Sequence, residues 1–481
     1  MVNVVTPLDV EGDVFIPMSP MDAVMNTYRV VILYIYPPPS STAAVYDLDK
    51  LRRSFVSVVD EDYSVLVGAL DVDEKTGAVS VKQSPEVRRR GGSGIRFETN
   101  STSSQTTDDA IASLSWEFMP RTRTGGEIIA VKGSILADGG MAIGVDCSHV
   151  LFDGEATLTF MRAWGQHYSG VGNQDRLVIN HERHLLSGNG EASRLPHPEF
   201  QIVPAEPLVR REDGSLAPRA AATPPKTSQH VFHLSPVTMA KLKCAAESAA
   251  RVDQDFHSND TRGGKLASVF GSNHMNGAQP MYISTLDAIT ALFTIPITEA
   301  RGHGKEFRVS TAVNGRKRLE PPLPENYAGN AVFHAISSYS REDLLSDSDD
   351  QDVISFSTLS RVARRIRSSI LARDSEFMRD TIAFLSNQTG LSSINDNVNF
   401  FCGPDVAFTC WAKMGLYDAE FGGMRPWYAS IPRVQCMDGF VLITEAARGA
   451  EGLDVLVCLE SASMKKFMSL CAKVEYLQDQ V

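Results

Sequence analysis

His149 stands in the run Ser148-His149-Val150-Leu151-Phe152-Asp153-Gly154, the sharpest chemical signal in the chain. A histidine titrates near neutrality, so a neutral imidazole can take a proton from an alcohol or an amine. Asp153 follows four residues later, with a glycine behind it, and suits the N-cap of a helix. Taken alone, the run has two readings: a cleft-facing general base, or a hydrogen-bonded core histidine followed by a capping aspartate.

The flanking residues place this run on a strand-to-helix connection. Ile128 to Ile135 and Met141 to Ser148 read as strands joined through the Asp138-Gly139-Gly140 turn, and Leu158 to His167 reads as a helix with Phe160 and Trp164 on one face. Upstream, Ser19-Pro20-Met21-Asp22 looks like a capped entry to a short helix, and Val30 to Tyr36 like a buried strand. Residues 84 to 109, with Arg88-Arg89-Arg90, Gly91-Gly92 and many Ser and Thr, read as loop. Downstream, helices are expected over Ser235 to Ala250, Ser284 to Glu299 and Thr358 to Leu371, a strand over Phe307 to Val313, and two strands between Phe440 and Leu459. On the Thr358 helix, Arg361, Arg364, Arg365 and Arg367 read as a solvated face. The chain therefore alternates strand and helix, a mixed α/β (α+β) architecture.

Composition sets outer bounds. With 481 residues, 43% hydrophobic and 22% charged, the chain is an ordinary globular one, long enough for two or three domains. Its net charge of -12 disfavours nucleic acid. Seven cysteines without a C-x-x-C pair support neither a disulfide framework nor a structural zinc. The N-terminus lacks a basic region of signal-peptide type, and the longest apolar run, Val30 to Tyr36, is far short of a membrane span. A soluble, cytoplasmic monomer is expected, with no membrane partner. The Pro- and Arg-rich stretch 206–228 reads as a linker between domains at 1–205 and 229–481.

Other motifs fail on spacing. Gly188-Asn189-Gly190 lacks the third glycine of a dinucleotide loop, Gly302-His303-Gly304-Lys305 lacks the spacing of a phosphate loop, and Gly91-Gly92-Ser93-Gly94 is not G-x-S-x-G. His181-Glu182-Arg183-His184 is one residue too short to set two imidazoles on one helix face. No metal site is expected.

A series of segments in order resembles the BAHD acyltransferase family, in particular its fungal branch of trichothecene 3-O-acetyltransferases. These are Ser19 to Asp22; Asp138 to Gly144 with His149 to Gly154; Asn314-Gly315-Arg316-Lys317-Arg318 through Pro321-Pro322-Leu323-Pro324 to Tyr327-Ala328-Gly329-Asn330; and Thr409-Cys410-Trp411 followed by Tyr417 to Pro426. The chain departs from the family in two places. Asn314 replaces an aspartate, and Glu420-Phe421-Gly422-Gly423-Met424-Arg425-Pro426 stands where the family writes D-F-G-W-G-K-P. Phe421, Gly422 and Pro426 are kept, and Arg425 keeps the charge.

The resemblance implies two chloramphenicol-acetyltransferase-like domains with a channel between them. An acyl-CoA, acetyl-CoA by default, would be the co-substrate rather than a permanently bound cofactor. A small-molecule acceptor would meet it at His149. Asp153 would be structural, pairing with Arg316, or with Arg318 as the fallback. Trp411 Nε1 is a candidate oxyanion donor and equally a core tryptophan. The Phe421–Pro426 loop would be structural. The expected reaction is acyl transfer to a hydroxyl of a secondary metabolite in a ternary complex. The alternatives are N-acylation, a condensation-domain-like use of carrier-bound thioesters (although Ser148 stands where that motif has a second histidine), a non-catalytic relative and a cyclase-type relative.

Overall fold

Two large sheets organise the chain. The first runs in the order Tyr428–Ser430, Arg29–Tyr36, Met141–Ser148, Ile129–Ile135, Phe97–Asn100, and is antiparallel except for the last pair. The second runs Thr227–Leu234, Leu453–Glu460, Phe440–Glu445, Val406–Cys410, Glu306–Asn314, Val332–Ser340, with parallel pairing on both sides of Val406–Cys410. The computed structural model describes all residues except 1–10, 40–44, 74, 125, 203–207, 211–215, 219–224, 258–281, 345–353, 392–393, 434–436 and 481. The architecture is a mixed α/β two-domain fold.

Met141–Ser148 is buried at every position, and its neighbour Arg29–Tyr36 at most. A strand covered on both faces needs an unbroken run of small and apolar residues, which is why these two were readable without alternation. The helix Gly154–Ser169 follows at once, capped by Asp153 and ended by Gly170 in the left-handed region. Its Phe160 and Trp164 stack into a cluster with Phe55 and Tyr63. Thr285–Arg301 begins with a capping box of Ser284 and Asp287.

The second half of the chain returns to the first. Tyr428–Ser430 completes the first sheet, and Trp411, Leu416, Ala419 and Phe421 belong to the first hydrophobic core. A separate core gathers Met21, Val24 and Leu186 with Val313, Tyr327, Phe333 and Ile382, so the seam between the halves is itself apolar. A small ladder, Phe200–Ile202 with Ile394–Asp396, crosses the same seam.

Two expectations need revision, and a third falls largely outside the described residues. Residues 84–109 are not loop: they hold helix Pro85–Arg90 capped by Ser84, strand Phe97–Asn100, and helix Thr107–Ser113 with a Thr106/Asp109 capping box. The elements are too short for periodicity to show, and the strand is held by pairing with Ile129–Ile135. Much of 206–228 lies outside the described residues. Within it, Leu208–Arg210 and Leu216–Pro218 pair antiparallel, and a strand begins at Thr227. Lastly, the arginine face of helix Phe356–Leu371 is committed to protein partners. Arg367 pairs with buried Asp287 at 2.6 Å, Arg365 with Asp343 at 2.9 Å, and Arg361 donates to the Asp343 carbonyl.

Candidate active site

The site is assembled from four short segments. The first is the capped turn at Ser19. Its hydroxyl and backbone N–H both donate to Asp22 Oδ2, at 2.7 and 3.0 Å, closing a capping box on helix Pro20–Ala23. The other oxygen, Oδ1, is left to accept from Arg183 Nη1, Asn330 N and Asn330 Nδ2, each at 2.9 Å. Arg183 also donates to the carbonyls of Leu151 and Ala328. A one-turn capped helix near the N-terminus thus ties the His149 loop to the Asn330 loop.

His149 sits just past the strand Met141–Ser148, partly buried, with its N–H on the Tyr28 carbonyl at 3.2 Å. Its Nδ1 lies 3.0 Å from Asn330 Oδ1. The amide orientation of Asn330 is decided by its other end. Nδ2 faces three acceptors: Asp22 Oδ1, the His149 carbonyl at 2.7 Å and the Val150 carbonyl at 3.1 Å. Oδ1 must then accept, so Nδ1 carries the hydrogen and Nε2 keeps its lone pair. Nε2 hydrogen-bonds to no described residue. Burial lowers the His149 pKa below the ordinary imidazole value, against the opposing pull of the Asp153 charge and the Asn330 contact. The imidazole is therefore neutral at pH 7, the state a proton acceptor needs.

Asp153 is engaged by other partners. It is fully buried and forked onto Arg316 at 2.7 and 2.9 Å, while accepting from Ala156 N and Ala331 N. Burial alone would raise its pKa. The Arg316 charge and these hydrogen bonds outweigh it and hold the carboxyl below its ordinary value. Arg316 also donates to the Tyr327 and Gly329 carbonyls. Arg318, the fallback partner, is not at this site: its Nη1 donates to the Ile370 carbonyl at 3.0 Å. Asn314, in the place of an aspartate, accepts from Arg316 N and donates to Glu155, so it links Arg316 to a carboxylate rather than supplying one.

Trp411 packs on the start of the same helix. A Cβ on Gly154 would lie 2.7 Å from Trp411 Nε1, so the glycine makes room for the indole. The indole N–H has no hydrogen-bond acceptor among the described residues, and the residue is 9% exposed. Phe421 is buried among Tyr36, Trp164 and Tyr168, with ring centroids 5.3–5.4 Å apart. Gly422 turns the chain at φ +64°, Pro426 is buried, and Arg425 pairs with Glu420 on the surface. A Cβ at Gly165 would meet the Glu420 carbonyl at 2.4 Å, which fixes how closely this loop lies on the Gly154–Ser169 helix.

Asn330, Arg183 and Tyr28 had no assigned role in the sequence. Asn330 was visible only as the end of Tyr327-Ala328-Gly329-Asn330, and Arg183 only inside the failed His181–His184 metal motif. His181 instead bonds the Asp62 carbonyl at 2.7 Å, and burial pushes its pKa down to about 4.

Comparison with known proteins fits this geometry. A hydroxycinnamoyltransferase of Narcissus pseudonarcissus is 24% identical over 467 residues, covering 95% of this chain and 94% of that protein. A hydroxycinnamoyl-CoA:5-hydroxyanthranilate N-hydroxycinnamoyltransferase of Avena sativa is 23% identical, covering 95% of each. In structure, TRI101 of F. graminearum, solved with coenzyme A and T-2 mycotoxin, superposes with a TM-score of 0.71 at 15% identity, covering 97% of this chain and 99% of that one. The transferase family model matches residues 2–473, and the chain belongs to this family of BAHD acyl-CoA-dependent acyltransferases, which act on hydroxyl or amine acceptors.

Proposed function

We propose that the protein moves an acyl group from acyl-CoA to a hydroxyl of a secondary metabolite, within a ternary complex and with His149 as general base. The protein would work as a cytoplasmic monomer. The observation that carries the reading is the fixed tautomer: Nδ1–H on Asn330 Oδ1 leaves Nε2 as a free lone pair on a neutral imidazole. Nε2 takes the proton of the acceptor as its oxygen attacks the thioester carbonyl carbon. The tetrahedral intermediate collapses, the C–S bond breaks, and the CoA thiolate leaves with the proton from Nε2. No residue of the site needs to be acylated.

The developing oxyanion calls for a donor, and Trp411 Nε1, with no acceptor among the described residues, is assigned that task. Asp153 is assigned a positioning role through Arg316, because its four hydrogen bonds use the carboxylate fully. Acetyl is the proposed acyl group, on the likeness to the fungal branch. The named relatives carry hydroxycinnamoyl groups, and one is an N-acyltransferase. An acyl-CoA panel against candidate alcohols and amines, read by mass spectrometry, separates these donors and acceptors. His149→Ala should lower turnover about 100- to 10,000-fold, the range for losing a general base. Turnover near wild type with saturating acceptor would remove His149 from this role.

A further inference from the structure

Trp411, the proposed oxyanion donor, stands where a strand ends. Val406–Cys410 runs parallel to Phe440–Glu445, with Cys410 level with Ile443. The ladder closes one residue later, where Trp411 N–H donates to the Ile443 carbonyl at 2.8 Å. Phe440–Glu445 runs on to Glu445, while the neighbouring chain turns away over Ala412 and Lys413. Lys413 takes φ +63°, a left-handed conformation that is costly for a residue with a Cβ. Such a conformation persists only where its surroundings hold it.

A side chain supplies that hold. Glu445 Oε1 accepts from Lys413 N at 2.9 Å, beyond the point where the backbone ladder has stopped. Glu445 is itself fixed from the other side, since it pairs with Leu453 in the antiparallel ladder to Leu453–Glu460. The indole is bounded as well. A Cβ on Gly154 would lie 2.7 Å from Trp411 Nε1 and 3.0 Å from Cδ1, so the ring rests on the start of the Gly154–Ser169 helix. With that face taken, the direction of the N–H depends on the backbone from which the ring projects. Strand-end glutamates commonly face water. Glu445 is partly buried, and one of its oxygens is spent on a main-chain N–H two residues from the donor.

We propose that Glu445 is a positioning residue for acyl transfer: its carboxylate clamps the turn after Trp411 and so holds the indole N–H where the oxyanion forms. This rests on the acyl-transfer reading above, in which Trp411 is the donor. A donor is effective when it already stands where charge develops, because nothing then has to reorient during the reaction. Glu445 acts through Trp411 alone. Its effect therefore belongs in kcat, while KM for both substrates stays as it is.

Turnover is read as CoA release from the full chain, with the fastest donor and acceptor pair of the acyl-CoA panel. Trp411→Phe should lower kcat about 100- to 1,000-fold, the scale of losing one oxyanion donor. Glu445→Ala should lower it about 10- to 100-fold at unchanged KM, the scale on which a displaced group loses its effect. On the Trp411→Phe background, Glu445→Ala should cost nothing further. Glu445→Gln keeps an accepting oxygen at the same reach and should recover most of kcat. Glu445→Asp keeps the charge but falls one methylene short, and should behave like Glu445→Ala. A second readout needs no turnover. The indole N–H magnetic resonance of Trp411, identified by its loss in Trp411→Phe, should move in Glu445→Ala and stay in place in Glu445→Gln. If Glu445→Ala does not fold, Glu445→Gln and Glu445→Asp carry both readouts. An unmoved resonance, or an equal loss of kcat on the two backgrounds, overturns the proposal. Wild-type kcat in Trp411→Phe overturns the donor reading, and the proposal with it, even where the resonance moves.

Discussion

One amide governs the state of His149: Asn330 Oδ1 accepts from Nδ1 at 3.0 Å, while Nδ2 of the same side chain is locked onto Asp22 Oδ1 and two carbonyls of the His149 loop. Because the donor end is so firmly engaged, the acceptor end cannot flip. Asn330→Ala should free the ring to take either tautomer and lower kcat by about 10- to 100-fold, less than loss of the base itself. It also removes a buried donor from several acceptors, costing about 1–3 kcal/mol of stability. Steady-state kinetics beside a urea melt check both. A stability loss with kcat intact would deny the tautomer argument.

The pH profile follows from the same burial. The His149 pKa lies below the ordinary imidazole value, so the basic, active form dominates at neutrality. The acid limb of kcat/KM should bend at a pH below about 6.5, with a plateau above it. A limb centred above 7 would show that the imidazole is not desolvated, or that another group is being titrated.

Asp153 and Arg316 form a buried fork, and each would be stranded without the other. Asp153→Ala should cost about 3–5 kcal/mol, against about 1 for loss of an exposed N-cap. Arg316→Ala should do the same, and the double variant should be clearly less than additive. Since the Asp153 pKa is held below its ordinary value, this stabilisation is complete above about pH 4 and lost as the carboxyl protonates below it. Denaturant melts of the four proteins at pH 7 test the cycle. Abolished turnover at an unchanged melting point would assign Asp153 to the chemistry instead.

The strands around His149 were readable because they are buried on both faces and so write long apolar runs. Asp153 was readable because a capping aspartate before glycine is a local signal, fixed by its own neighbour Ala156. Asn330 was not, since its contact with His149 spans 181 residues and depends on two loops meeting at the seam. The arginines of helix Phe356–Leu371 misled in the opposite sense. A basic face looks solvated until the fold brings Asp287 and Asp343 against it.

The seam has a second histidine with a different task. His197 is buried between Glu199, 2.8 Å from Nδ1, and Asp380, 3.0 Å from Nε2, with the rings of Phe377 and Phe384 about it. Asp380 also accepts from the backbone of Arg194 and Leu195, and the Arg373 charge faces Glu199. Burial disfavours the imidazolium, but the two carboxylates outweigh it and raise its pKa above the ordinary value. A raised pKa means that the stabilisation is complete below about pH 6.5 and is lost as pH rises through the folded value. The segment from Ser187 to Phe200 should therefore hold to helix Ser375–Ser386 while His197 is protonated and loosen as pH rises through its raised pKa. His197→Leu should strand two carboxylates and lower stability by about 1.5–3 kcal/mol, the scale of hydrogen bonds to a charged group. Hydrogen exchange at Arg194 and Leu195 should then be fast in the variant at every pH, and in the wild type quicken only as pH rises through the raised His197 pKa. Equal protection of these two amides in both proteins across that pH range would show that His197 does not clamp the seam.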